Sequence, residues 1–111
     1  MVFEREGSGL DINGTSHRVG MKVVATNESE YEGLCGVITE IRTGEDLETE
    51  NEGPDIYCCF DPPDDKESIL ALEKVFSALY CCRKTLDEIS LDLVIMAPEM
   101  IEPLVDQEDK Q

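Results

Sequence analysis

The chain has 111 residues, room for one compact domain of ordinary size. Apolar residues make up 41% of it, enough for a hydrophobic core, but with no Trp, three Tyr and three Phe that core must be built mainly from aliphatic side chains, Met and Cys. Its 26 acidic and 9 basic residues give a formal net charge of −17, which excludes direct binding to nucleic acid or anionic lipid, where affinity comes from Lys and Arg displacing counterions.

Residues 1–17 hold three glycines and no sustained period, and read as a flexible N-terminal arm with one short strand near Leu10 and Ile12. Residues 18–25 (RVGMKVVA) form the first predicted strand, with Val19, Met21 and Val23 on one face. The polar segment TNESEYEG leads into LCGVITEI, a second strand in which Cys35, Val37 and Ile41 alternate with Gly36 and Glu40. An acidic stretch from Thr43 to Asp55 closes on Gly53-Pro54 and reads as a long, solvated hairpin loop. Residues 56–60 (IYCCF) are a third strand, stopped by Asp61-Pro62-Pro63 because proline cannot continue a ladder.

Asp64 or Asp65 caps a predicted helix over residues 66–81, where Ile69, Leu72, Val75, Phe76 and Leu79 recur at three- and four-residue spacing and form a stripe for core packing. TLDEI at 85–89 adds a helical turn capped by Thr85, and residues 93–104 hold one or two closing strands broken at Pro98. Residues 105–111 are a fraying acidic tail. There is no internal repeat, and strand, strand, strand, helix, strand is not the alternation of a parallel α/β fold. The fold class is therefore α+β, mainly β: a small antiparallel barrel over residues 18–104 with one amphipathic helix inserted before the closing strand.

VGMKVVAT followed by SEYEGLCGVITEI resembles the opening hairpin of SH3-like small barrels of the KOW type, in which a strand, a glycine-containing turn and a second strand recur. IYCCFD and MAPEMIEPL resemble the later strands of such a barrel. The resemblance implies that Gly33 and Gly36 hold the bend between the first two strands. KOW-type barrels that touch nucleic acid carry basic loops, whereas the matching loops here hold Glu28, Glu30 and Glu32, then Glu45 through Asp55. SH3 domains that take proline-rich peptides need an aromatic groove, and only Tyr31, Tyr57 and Phe60 lie near the barrel strands.

Catalytic and metal constellations are not assembled by the spacing. Cys58, Cys59, Cys81 and Cys82 number four thiols, as a structural zinc takes, but adjacent residues of a strand point to opposite faces, and zinc ligand pairs are usually separated by two or more residues. These read as small buried hydrophobes, with Cys35 a further strand residue and all five thiols reduced. His17, the only histidine, would have to cross from the arm to a strand to activate Cys35, and reads as a protonated or exposed structural side chain. Neither a phosphate-cradling glycine loop nor the full oxygen set of a calcium loop is present, so no enzyme activity, metal or cofactor is expected. No signal peptide or apolar run of about 20 residues is seen, and the expected location is the cytoplasm without membrane attachment.

The acidic segments carry the sharper expectation. From Glu28 to Asp55 there are ten carboxylates against the single base Arg42, a net charge of −9. Glu28, Glu30 and Glu32 form one E-x-E-x-E triplet, and Glu48, Glu50 and Glu52 form another, with Glu45, Asp46 and Asp55 nearby. Where such a triplet is extended, alternate side chains share a face about 6.5–7 Å apart, comparable to successive phosphates of a nucleic-acid strand. The expected partner is a protein with a basic surface. The expected function is competitive inhibition or regulation of a nucleic-acid-handling protein, resembling the small acidic anti-restriction and anti-CRISPR proteins of phages and mobile elements. A barrel-type interaction module using the helix or a strand edge is the second expectation.

Overall fold

The structure is a computed structural model and describes residues 1–12, 14–50 and 53–104. Eight strands and one α-helix follow in the order β1 (Val2–Phe3), β2 (Gly9–Ile12), β3 (Thr15–Arg18), β4 (Lys22–Ala25), β5 (Cys35–Arg42), β6 (Asp55–Phe60), α1 (Lys66–Tyr80), β7 (Val94–Met96) and β8 (Ile101–Pro103). The α+β, mainly β class expected from the sequence is observed.

The main sheet is antiparallel in the order β7-β6-β5-β4-β8, and β1 also pairs with β5. β5 organises it. One edge of this strand pairs with β6, while the other pairs with β4 through Cys35, Gly36 and Val37 and with β1 through Ile41 and Arg42. Among the described residues no ladder joins β7 to β8, so the sheet is open rather than closed. It cannot be flat, however. Five strands side by side would set the edge strands about 19 Å apart, whereas the five residue steps from Met96 to Ile101 reach at most about 18 Å even fully extended. Those steps include a 3-10 turn at Pro98–Met100, so the sheet must curl to bring its edges toward each other.

The N-terminal residues are more structured than expected. β1 adds to the main sheet, and β2 and β3 form their own two-stranded sheet with Leu10 opposite His17. The expected strand 18–25 is divided: β3 ends at Arg18, the Met21 amide donates to the Arg18 carbonyl at 3.1 Å in a turn, and β4 starts at Lys22. The Gly20 amide instead donates to the Ile38 carbonyl at 2.7 Å, linking this turn to β5.

The expected facing of β5 is also corrected. Its register with β6 shifts between Ile38 and Glu40, and the extra residue of this bulge changes which parity points inward. Gly36 and Ile38 are buried before the bulge and Ile41 after it, while Cys35 is exposed and Val37 half-buried. Regular alternation would place Cys35, Val37 and Ile41 together.

The core joins Val23, Ile38, Ile41, Ile56, Cys58 and Met96 of the sheet to Leu72 and Phe76 of α1. The helix begins as its sequence dictates, with the Asp65 carboxylate accepting the Ser68 amide at 2.9 Å. Hydrogen bonding from the Ser68 side chain, and then from its amide, favours the ionised carboxylate and holds the Asp65 pKa below its ordinary value. Of the expected stripe, Leu72 and Phe76 are buried and Ile69 is half-buried. Val75 and Leu79 are 43% and 55% exposed, so part of the periodic apolar face is left uncovered by the sheet.

Candidate functional site

The first acidic triplet stands in the β4–β5 connection, residues 26–34, and successive turns shape it. The Ser29 amide donates to the Thr26 carbonyl at 3.1 Å, Glu32 to Ser29 at 3.2 Å and Leu34 to Tyr31 at 3.0 Å. The buried Ser29 hydroxyl oxygen accepts the Tyr31 amide at 3.0 Å. Tyr31 then anchors the loop in the core. Its ring stacks on Phe60 with centroids 5.5 Å apart and meets Phe76 edge-on at 5.1 Å, and its hydroxyl donates to the Ser90 carbonyl at 2.8 Å. Burial, with Glu30 adding to it, pushes the Tyr31 pKa up to about 12.

Because Ser29 and Tyr31 point inward, Glu28, Glu30 and Glu32 point to solvent. None of these three carboxylates has an ion-pair partner among the described residues. They are carried on consecutive turns, not on extended chain, so the evenly spaced ladder expected of the triplet does not form.

The second acidic segment behaves differently. Glu45 and Asp46 lie in a 3-10 turn, Gly44–Asp46, and Asp46 pairs with the amino terminus. The Tyr57 hydroxyl donates to Glu48, which also stands 3.7 Å from Arg42. Arg42 is further paired with Glu40 and lies over the Tyr57 ring, 5.0 Å from its centroid. Burial, followed by the bond to Glu48, pushes the Tyr57 pKa up to about 12.

Asp55 is a correction. It is fully buried, and its carboxylate accepts the Glu48 amide at 2.8 Å, the Thr49 amide at 3.0 Å and the Thr49 hydroxyl at 2.6 Å. It holds the loop from inside and is not available to a partner. Glu45 and Glu50 are exposed, and Glu52 lies outside the described residues. The two acidic loops leave opposite ends of β5, an eight-residue strand, so they are about 25 Å apart and do not flank one hairpin end.

A feature not predicted from the sequence lies beside the first loop. Between residues 29–34 and the first three turns of α1 runs a groove of about 470 Å³, lined by apolar surface from Leu34, Ala71, Leu72 and Val75. Glu30, Glu32 and Asp65 also line it, and no Lys or Arg does. The exposed periodicity of α1 was its only trace in the sequence, since the facing wall comes from a loop more than thirty residues away.

Compared with known proteins, the chain matches no family model, no curated protein and no solved structure.

The other residues weighed above do not converge. Cys58 is buried in the core, and burial pushes its pKa up to about 12. Cys59, on the opposite face of β6, donates its thiol to Asp92 at 3.0 Å. Cys81 and Cys82 are exposed and Cys59 is half-buried, correcting the expectation of small buried hydrophobes at these positions, while Cys35 is the strand residue expected, though exposed, and all five thiols are free. Among the described residues no three Cys, His, Asp or Glu side chains group to hold a metal ion. His17 is buried, not exposed, because its pairing in the β2–β3 hairpin turns the ring inward, where Nδ1 lies 3.0 Å from the Thr15 carbonyl. Tyr31, Tyr57 and Phe60 are all buried and offer no open aromatic groove. No helix of the described residues is long and apolar enough to cross a membrane.

Proposed function

We propose that this chain is a non-enzymatic, acidic binding protein that docks on a basic nucleic-acid-handling protein and competes there with nucleic acid, in the manner of anti-restriction or anti-CRISPR inhibitors. The observation that carries this reading is the exposure of Glu28, Glu30, Glu32, Glu45 and Glu50 on two loops, none of them ion-paired among the described residues. Surface carboxylates left without cations repel one another, and a basic partner relieves that repulsion. With Glu28, Glu30 and Glu32 before β5 and Glu45 and Glu50 after it, the partner meets two separate contact points and not one continuous ladder.

The small-barrel likeness belongs to the same proposal. β4, its glycine turn and β5 supply the opening hairpin, and the short crossing from β7 to β8 favours a rolled sheet as the scaffold. A second reading, a general interaction module acting in the cytoplasm through α1, is favoured by Leu70, Leu79 and Tyr80, which are 56%, 55% and 58% exposed.

The test is affinity purification of the native partner at low and then high salt, followed by competition with duplex DNA or RNA. A mimic loses affinity steeply as salt rises and is displaced by nucleic acid. Binding that ignores salt and nucleic acid overturns the proposal.

A further inference from the structure

The groove between residues 29–34 and α1 combines two properties that a merely solvated surface does not need together. Its apolar floor is supplied by Leu34, Ala71, Leu72 and Val75, of which Leu72 is buried. Its charged lining is entirely anionic, because Glu30, Glu32 and Asp65 contribute to it beside the neutral Ser29 and Ser68 and no cation does. At about 470 Å³ it falls in the size range of clefts that take side chains or small ligands, roughly 300–1,000 Å³. Beyond its end, Leu79 continues the Ala71–Val75 flank of the helix at four-residue spacing and is 55% exposed.

The walls are also preorganised. Tyr31, between the two glutamates, is locked by Phe60, Phe76 and Ser90, while Asp65 is held as the helix cap. The backbone that carries Glu30 and Glu32 is therefore fixed before a partner arrives, and binding has only their side chains to order.

Resting on the reading of a basic partner, we infer that this groove takes a segment of that partner in which an apolar side chain is flanked by Arg or Lys. The apolar anchor sits on Leu34, Leu72 and Val75, and the flanking cations meet Glu30, Glu32 and Asp65. An anionic wall disfavours acidic peptides and nucleic acid, and an apolar floor gives no gain to a purely charged one. Charge complementarity thus selects the occupant by sign, and the floor selects it by shape.

The probe is a fluorescein-labelled peptide, KLKKLLKKLLK, titrated by anisotropy at about 150 mM salt beside the same peptide with every Leu replaced by Ser. The full-length protein should bind the Leu peptide about tenfold more tightly than the Ser peptide. Ala71→Trp, which fills the groove at an exposed position without changing charge, should remove that tenfold preference and leave Ser-peptide affinity unchanged. Glu30→Gln with Glu32→Gln should weaken both peptides several-fold. Amide shift changes should centre on residues 29–34 and 68–79.

If the two peptides bind equally, or if shifts centre on residues 43–50, the groove assignment is overturned while the basic-partner reading stands. If neither peptide binds even at low salt, the basic-partner reading itself falls.

Discussion

Gly36→Ala adds one methyl group to the protein, on β5 opposite Phe60 of β6. A Cβ there would lie 2.5 Å from the Cys59 carbonyl oxygen, 2.9 Å from the Phe60 Cα and 2.8 Å from the Phe60 ring. Two of these atoms are backbone of the partner strand and cannot swing aside. Relief requires the two strands to separate at the Gly36–Phe60 pair, beside the ring on which Tyr31 stacks. Overpacking of this kind costs about 1–3 kcal/mol, and disturbing the adjacent ladder places Gly36→Ala near the top of that range.

Gly33→Ala is the control. Gly33 has φ +89° and nothing within 4 Å of a Cβ, so that substitution carries only left-handed backbone strain, about 1–2 kcal/mol. For a domain of this size about 1 kcal/mol moves Tm by roughly 4 °C, so Gly36→Ala should melt about 10 °C below the parent and Gly33→Ala about 5 °C below it. Far-UV circular dichroism follows both melts, since the chain has no Trp to report by fluorescence. A Gly36→Ala protein as stable as Gly33→Ala would refute the close-approach reasoning.

Asp55→Ala should destabilise by about 2–4 kcal/mol in urea unfolding and speed amide exchange at Glu48 and Thr49, because it strands donors that the buried carboxylate now accepts. Cys81→Gly should stabilise by about 1 kcal/mol, since Cys81 ends α1 at φ 57°, a conformation glycine adopts without strain; an unchanged melt would count against that cap. Raising the pH should destabilise the fold between about 9 and 12. Cys58 and Tyr31, both pushed up to about 12, keep protons that the unfolded chain releases near its ordinary values, so their stabilisation is complete at lower pH and lost as pH climbs through that window. Chemical denaturation at pH 8 and pH 11 checks this, and equal stabilities would contradict it.

Much of the local structure was legible before any coordinates. Asp65 ahead of a helical period marks the start of α1, and an apolar run stopped by two prolines marks β6, because these signals act over a few neighbouring residues. The net negative charge is equally a matter of composition, whereas the outward facing of Glu28, Glu30 and Glu32 depends on Tyr31 packing into the core.

What lay beyond the sequence depends on partners distant in the chain. The bulge that turns Cys35 outward and Ile41 inward arises from the register against β6, which a single strand does not encode. Asp55 and Glu50 look alike in a run of carboxylates, yet one is buried under amides and the other is exposed. The groove has one wall from a loop and the other from a helix, brought together by Tyr31 packing on Phe60 and Phe76. Sequence by itself determined the helix, the strands with strong local signals and the charge they bear; only tertiary packing decided the N-terminal strands and which faces meet, because burial and register are properties of pairs of segments and not of either one alone.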